Sequence, residues 1–329
     1  MNKAKKFDIK EFLTDNAIFL VIIAIILYTG LTRDNFFTMR TAMNILSNTS
    51  VRFIIALGAS GTLIIGGPDL SGGRVVGLSA IITGTLVQRP DFAGKFFPNL
   101  PDMPIVLPLI IVILVTTFIG VINGLVVSKL HVPSFLATLG MQLIIYGVNM
   151  LYGRNQPVGS FKQSFVEIGQ GTIFGIPYLA IIAALVGIGM WILYNKTRHG
   201  KYMYAIGGNE EAAEVSGVNV DRSKIRVFAL AGALYGIAGY LLSAKTGSVG
   251  PSSGETYELE AIASATIGGV SSAGGEGTVP GILLGVFVFE LLKVALAYLG
   301  VSPDVTNIIQ GTIIIVAVAL DVRKTMKRK

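Results

Sequence analysis

Few residues of this chain have the types and spacing that covalent chemistry requires. Cysteine is absent, and the two histidines, His131 and His199, have no neighbours at metal-binding spacing. The chain contains neither a Gly-x-x-x-x-Gly-Lys-Ser/Thr phosphate loop nor a His-Glu-x-x-His zinc motif. The sequence therefore predicts no enzyme activity, no metal site and no cofactor, and it excludes ATP hydrolysis by this chain alone.

Polar side chains inside apolar segments are the remaining candidates for function. These are Asn123, Gln142, Asn149, Glu290, Lys293, Asn307 and Gln310. Such groups are costly in lipid, so they are expected to bind other helices or to line a polar path. Glu290 and Lys293 are three residues apart, which predicts that they neutralise each other on one helix face.

Composition assigns the chain to a polytopic membrane protein. Of its 329 residues, 52% are hydrophobic and 14% charged, whereas soluble domains have roughly 25% charged residues. The net charge of +7 does not indicate nucleic-acid binding, because the basic residues lie at the ends of apolar segments. A single all-α domain, residues 1–329, is expected.

Ten apolar segments predict about ten transmembrane helices, some short or broken. They cover residues 17–31, 51–67, 75–88, 105–127, 135–152, 178–194, 227–243, 260–270, 278–299 and 305–321. The polar stretch 40–52 is either external or an outward extension of the second helix. With a cytoplasmic N-terminus, 17 Lys and Arg residues fall on the cytoplasmic side and 8 outside. This excess predicts that the tails 1–16 and 322–329 and the loop 195–226 are cytoplasmic.

Two glycine-rich breaks interrupt short apolar segments. One contains Gly67, Asp69 and Ser71, and the other contains Gly269 and Gly275, with paired glycines six residues apart in each. Broken helices at membrane depth are tolerated where the freed backbone faces protein or water, and transporters use them for solute sites and gates. We expect mobile gate elements here, with Asp69 fixing its break. The alternative is a pair of tight turns at the cytoplasmic surface.

The polar loop 195–226 contains signals for one short capped helix. Asn209 is a good N-cap, Glu210 and Glu211 favour the positive end of the helix dipole, and Gly217 suits a left-handed C-terminal residue. So short a helix is marginal alone. The pattern predicts an element that docks onto a cytoplasmic partner.

Four sequence blocks together resemble the permeases of bacterial ABC sugar importers of the ribose, galactose and xylose group. They are the loop blocks within 197–217, the first break at 66–71, the stretch 132–140 and the second break at 268–277. Within this group, residues 50–58 and 313–321 look most similar to galactose and methyl-galactoside permeases.

The resemblance implies a multi-pass homodimer in the bacterial inner membrane, with an ABC ATPase and a sugar-binding protein as partners and the lipid bilayer around it. It also implies that the short helix contacts the ATPase. The residues expected at that contact are Gly208, Asn209, Glu210, Glu211, Ala212, Ala213, Ser216 and Gly217. The residues expected at the gate or path are Gly67, Asp69, Ser71, Asn123, Asn149, Gly269, Gly275 and Gln310.

Three alternatives remain open from the sequence. An ABC permease for nucleosides or another small polar solute fits the same motifs. An ion-coupled secondary transporter could use Asp69 or Glu290 as its carrier. A membrane enzyme is the third alternative, although this sequence lacks the cluster of catalytic residues that an enzyme requires.

Overall fold

The computed structural model describes residues 17–328 and is almost entirely helical. The predicted tail 1–16 lies outside the described residues. The described chain forms helices α1 Ala17–Thr32, α2 Met39–Ile64, α3 Gly72–Leu86, α4 Val106–Lys129, α5 Ser134–Tyr152, α6 Gln163–Gln170, α7 Tyr178–Lys196, α8 Arg198–Gly208, α9 Glu210–Val215, α10 Val220–Thr246, α11 Tyr257–Ile267, α12 Val279–Tyr298 and α13 Pro303–Arg328. A two-stranded hairpin, β1 Thr172–Ile173 and β2 Ile176–Pro177, precedes α7.

Each of the ten predicted spans coincides with a helix, which confirms the all-α class. Helices α4, α5, α7, α10 and α12 are long and apolar enough to cross a membrane. Shorter apolar stretches occur in α1, α3 and α13. Helix α11 has 11 residues and therefore a length of about 17 Å, about half of a roughly 30 Å hydrocarbon core. It must end inside the protein.

The second helix is much longer than its apolar segment. Helix α2 begins at Met39, where the side chain of Thr38 accepts a hydrogen bond from the amide of Thr41. The polar stretch 40–52 therefore extends this helix. Asn48 binds Lys245 of α10, so the N-terminal half of α2 is held by polar contacts. Arg52 lies within the helix bundle and not in the external loop that the charge count requires.

Helix α10 forms the centre of the bundle and packs on α2, α3 and α4. Its most apolar window is 78% buried, against 17% for α5. A Cβ atom at Gly232 would lie 2.2 Å from the carbonyl oxygen of Thr116, and one at Gly239 would lie 2.3 Å from that of Val76. Only glycine permits these approaches. Helix α5 is peripheral and leaves most of its surface uncovered.

The loop 195–226 contains more helix than its polarity suggests. Helix α8 precedes α9, and α10 begins at Val220, seven residues earlier than expected, with Asn219 as its N-cap. Helix α13 likewise continues through most of the predicted C-terminal tail. Polar residues extend these helices beyond the apolar segments because water, unlike lipid, accommodates their side chains.

Glu290 and Lys293 do not pair with each other, contrary to the prediction from their spacing. Arg52 pairs with Glu260 of α11 and, at 3.0 Å, with Glu290, while Lys293 lies 2.9 Å from Glu260. The ring of Tyr257 lies 4.7 Å from the Arg52 guanidinium carbon. These four charges, here called the ion cluster, are balanced and join α2, α11 and α12. Glu290 and Lys293 therefore each pair with a residue of a neighbouring helix and not with each other.

Candidate functional site

The first break, residues 65–71, separates α2 from α3. Gly66 has a φ of 75°, and the amide of Gly67 donates to the carbonyl of Thr62, which closes the end of α2. Oδ1 of Asp69 then accepts hydrogen bonds from the amide of Ser71 at 2.9 Å and from its hydroxyl at 2.6 Å. The buried Asp69 thus holds the start of α3.

The second break, residues 268–278, repeats part of this geometry between α11 and α12. Gly269 has a φ of 88°, and the amide of Val270 donates to the carbonyl of Ala265. Gly275 also has a positive φ but stays in a loop, whereas its sequence counterpart Gly73 lies in the first turn of α3. The two breaks therefore share their helix ends and differ in how they continue.

Polar candidates from separate helices meet at the start of α3. The amide of Asn123 in α4 donates to the Ser71 hydroxyl at 3.0 Å, and Thr138 of α5 accepts from the amide of Leu70 at 3.0 Å. Asn149 of α5 donates to the carbonyl of Arg74 at 3.1 Å. Gln310 is buried on α13, which packs on α11 and α12, and is not part of this group.

Both breaks meet the end of α8 at a glycine junction formed by Ile64, Gly66, Gly207, Gly274 and Gly275. The amide of Gly275 donates to the carbonyl of Ile64 at 2.8 Å. A Cβ at Gly207 would lie 1.7 Å from that carbonyl oxygen and 2.5 Å from the Gly275 nitrogen. Three backbones are therefore in direct contact. Any shift of α8 must move the ends of both breaks.

Helix α9 follows α8 through a single residue. Oδ1 of Asn209 accepts from the amide of Ala212 at 2.9 Å, and Gly217 has a φ of 85°, in agreement with the cap signals. Ala213 is buried within the chain and so presents no free surface to a partner. Val215, which the sequence reasoning missed, is 87% exposed. An apolar residue within a polar segment was the sequence signal that could have identified Val215.

An open cavity of about 230 Å³ connects the first break with α9. Gly67, Pro133 and Ser134 line one part of it, and Glu210 and Lys224 line another. Lys224 and Glu210 form an ion pair at 2.7 Å across this cavity. A predicted gate residue and a predicted contact residue therefore share one space.

One of the two histidines lines this cavity, and the other lies in the first turn of α8. His131 lines the cavity and has a φ of 51°, while Nε2 of the half-buried His199 has no hydrogen-bond partner. Burial, and then the positive charge of Arg226, lower the pKa of His199 below its usual value of 6.5. Within residues 17–328, no group of His, Asp and Glu side chains is arranged to hold a metal ion.

A second charged residue, besides Arg52, lies elsewhere than expected. Arg74, which the predicted topology places in a cytoplasmic loop, occupies the first turn of α3 and is buried. Its guanidinium carbon lies 4.6 Å from the ring centre of Tyr146, in the C-terminal half of α5.

Among the described residues, five helices are long and apolar enough to span a membrane, three more contain shorter apolar stretches, and α2 and α11 end at glycine breaks. This arrangement is consistent with a polytopic membrane permease. A family model described as "Branched-chain amino acid transport system / permease component" matches residues 41–318, and the chain belongs to this family. It is 42% identical to a galactose/methyl galactoside import permease of Haemophilus influenzae, over 100% of this chain and 99% of the relative.

Two further relatives extend the comparison. The chain is 41% identical to a galactose/methyl galactoside import permease of Escherichia coli over the full length of both. It is 35% identical to a ribose import permease of Haemophilus influenzae over 97% of each. No solved structure gives a significant match.

Proposed function

We propose that this chain is the membrane-spanning subunit of an ATP-driven, binding-protein-dependent sugar importer in a bacterial inner membrane. Its transported sugar is galactose, methyl galactoside or a similar monosaccharide. The full-length similarity to permeases named for these sugars supports the substrate class. The glycine junction is the observation that carries the mechanism, because it connects an exposed docking helix to both breaks.

Helix α9 is the contact for a cytoplasmic ATPase. Its exposed Val215 provides apolar area, and its exposed carboxylates Glu210 and Glu211 provide charge. Nucleotide-driven movement of the ATPase shifts α8 and α9 together, and the glycine junction passes this displacement to the first and second breaks. The cavity beside Gly67 then opens or closes. Each partner drives transport by binding one state of the permease better than the other.

Two copies of the chain form the transporter, with the sugar path between them. The uncovered surface of α5 carries Gln142 and Tyr146 among its apolar residues and is the surface available for this arrangement. Exposed polar groups at membrane depth face a cavity or protein better than lipid.

The chain has both termini and the loop 195–226 in the cytoplasm. A single cysteine introduced at Asn99 reacts with an impermeant thiol reagent added outside intact cells, whereas one at Glu211 does not. The reverse labelling pattern contradicts the orientation and the helix count. No native cysteine interferes with this measurement.

A different monosaccharide such as ribose is the second substrate candidate, since the relatives include permeases named for galactose and for ribose. Nucleosides and other small polar solutes stay open from the sequence alone. Ion-coupled transport has less support. Asp69 is engaged in the cap of α3, and Glu290 is paired with Arg52, so neither is a free carrier.

Reconstitution tests the function directly. Proteoliposomes containing the permease take up D-galactose only when ATP, the ATPase and the binding protein are all present. Omission of each component in turn, and replacement of galactose by D-ribose or uridine, separates the mechanisms and the substrates. Uptake that persists without the ATPase and follows an ion gradient would falsify the proposal.

A further inference from the structure

A charged group lies exposed at membrane depth beside α5. The side chain of Glu255 is 55% exposed, and its Oε1 accepts a hydrogen bond from Nη2 of Arg74 at 2.9 Å. Arg74 is bound to α5 on two sides, by the ring of Tyr146 and by the amide of Asn149. Both contacts fall within the apolar span of α5. Glu255 therefore faces water or protein and not lipid.

Three buried polar atoms near this carboxylate have no hydrogen-bond partner. Nη1 of Arg74, Oε2 of Glu258 and Oδ1 of Asn149 are buried and lack hydrogen-bond partners. Their residues are 8%, 4% and 0% exposed. Buried polar groups of this kind are nearly always paired, so three of them at one place indicate a partner that binds there.

The cluster is built around a glycine at the start of α3. Oε1 of Glu258 accepts from the amide of Gln142 at 3.3 Å. Its Oε2 lies so close to Gly73 that a Cβ atom there would be 1.9 Å away. The backbone of Gly254 also contacts Gly73 and Gly77. Glycine thus allows the segment before α11 to bring Glu255 and Glu258 against α3.

The chemistry of the cluster selects an uncharged polyhydroxyl compound. Arg74 and the exposed Glu255 balance each other, and Glu258 adds no positive charge, so the cluster has no excess cation to attract phosphorylated or acidic solutes. Carboxylate, guanidinium and amide groups accept from and donate to neighbouring hydroxyls, as a sugar ring presents them. The half-exposed ring of Tyr146 offers an aromatic surface for the C–H face of that ring.

We propose that Arg74, Glu255 and Tyr146, supported by Gln142 and Glu258, form a contact site for a monosaccharide ring partway along the path between two copies of this chain. This site rests on the proposed function for its substrate. It goes beyond it by assigning sugar contacts to the membrane subunit itself. The membrane subunit therefore contributes to sugar recognition together with the binding protein.

Two variants test the site, and a third variant outside it serves as the control. Glu255→Gln keeps the shape and removes the charge, and Tyr146→Leu removes the aromatic surface. Trp191→Leu in α7 is the control, because Trp191 and Tyr146 are both 40% exposed aromatic residues. All variants are purified in nanodiscs and compared by size-exclusion chromatography before use, so misfolded protein is identified.

Saturation-transfer NMR with D-galactose on the permease alone gives a signal in the wild type and in Trp191→Leu. Glu255→Gln and Tyr146→Leu each reduce it about tenfold, the loss expected for one charged hydrogen bond or one ring contact. In the complete transporter they lower sugar transported per ATP hydrolysed, while stimulation by the binding protein persists.

Equal galactose signals in all four proteins, or an equal loss in Trp191→Leu, would overturn the site. Loss of stimulation together with uptake in the two variants would also overturn it, because that result indicates a defect in coupling. Failure of the proposed function is distinct. In that case the wild type shows no ATP-dependent uptake, whatever the NMR signal on the permease alone.

Discussion

Replacing Gly207 by alanine is the most direct perturbation of the glycine junction. The added Cβ would stand 1.7 Å from the Ile64 carbonyl oxygen, and carbon and oxygen normally approach to about 3.3 Å. Helix α8 must therefore retreat from α2 by about 1.6 Å. The hydrogen bond from Gly275 to Ile64 lies in the same place and lengthens or breaks.

The cost of this change follows from its two parts. Overpacking of a close contact costs about 1–3 kcal/mol, and a lost backbone hydrogen bond costs about 1 kcal/mol. The sum, about 2–4 kcal/mol, displaces α8 and α9 without unfolding a bundle whose core includes Ile64 and Ile206 but extends far beyond this contact. We expect at least a tenfold fall in sugar uptake by Gly207→Ala, with the ATPase still bound.

The assay is uptake in proteoliposomes beside a pull-down of the ATPase. Gly189→Ala in α7 is the matched control, since a Cβ there meets nothing within 4 Å. Gly208→Ala is a second comparison, because its Cβ also meets nothing within the chain and a defect there reports on the ATPase surface. Wild-type uptake by Gly207→Ala would refute the role of the junction.

Three further outcomes are expected. Val215→Asp weakens ATPase binding at least tenfold, measured by pull-down titration, because it charges an exposed apolar contact; unchanged affinity removes Val215 from the interface. Arg52→Met leaves Glu290 without its ion-pair partner, while Glu260 keeps Lys293, and lowers the free energy of unfolding by about 3–5 kcal/mol, seen as a reduced Tm in detergent; an unchanged Tm shows that the ion cluster is not stabilising. The pKa of His199 is lower in the folded chain than in the unfolded chain, so the unfolded chain binds the proton first and the free energy of unfolding falls as pH drops below about 6.5. His199→Gln removes this group and flattens the pH dependence of Tm in thermal scans between pH 8 and 5.5. Identical Tm profiles for the wild type and the variant contradict this expectation.

The membrane helices were predictable from the sequence because apolar stretches of this length seldom occur outside membrane spans. The length of α2 was not, since Asn48 and Arg52 are matched by polar partners on other helices that no local window contains. Helix α8 was also missed, because its polar composition hides a cap at Thr197 and buried positions at Met203 and Ile206.

The candidate site divides in the same way. The caps of α9 were predictable because Asn209 and Gly217 act on their own neighbours in sequence. The glycine junction was not, because Gly207 and Ile64 are brought together only by the packing of α8 on α2. The burial of Ala213 was equally hidden, because sequence cannot fix how a two-turn helix is rotated.

The ion cluster has a consequence for how the chain is made. Arg52 enters the membrane with α2, but its partners Glu260 and Glu290 are translated more than 200 residues later. At roughly 5–20 residues per second, the ribosome needs about 10–40 s to deliver the first of these carboxylates. For that interval the second helix carries an unmatched cation at membrane depth, so its final insertion waits for α11 and α12. A chain cut short after α10 lacks both carboxylates and therefore keeps an unmatched cation within α2.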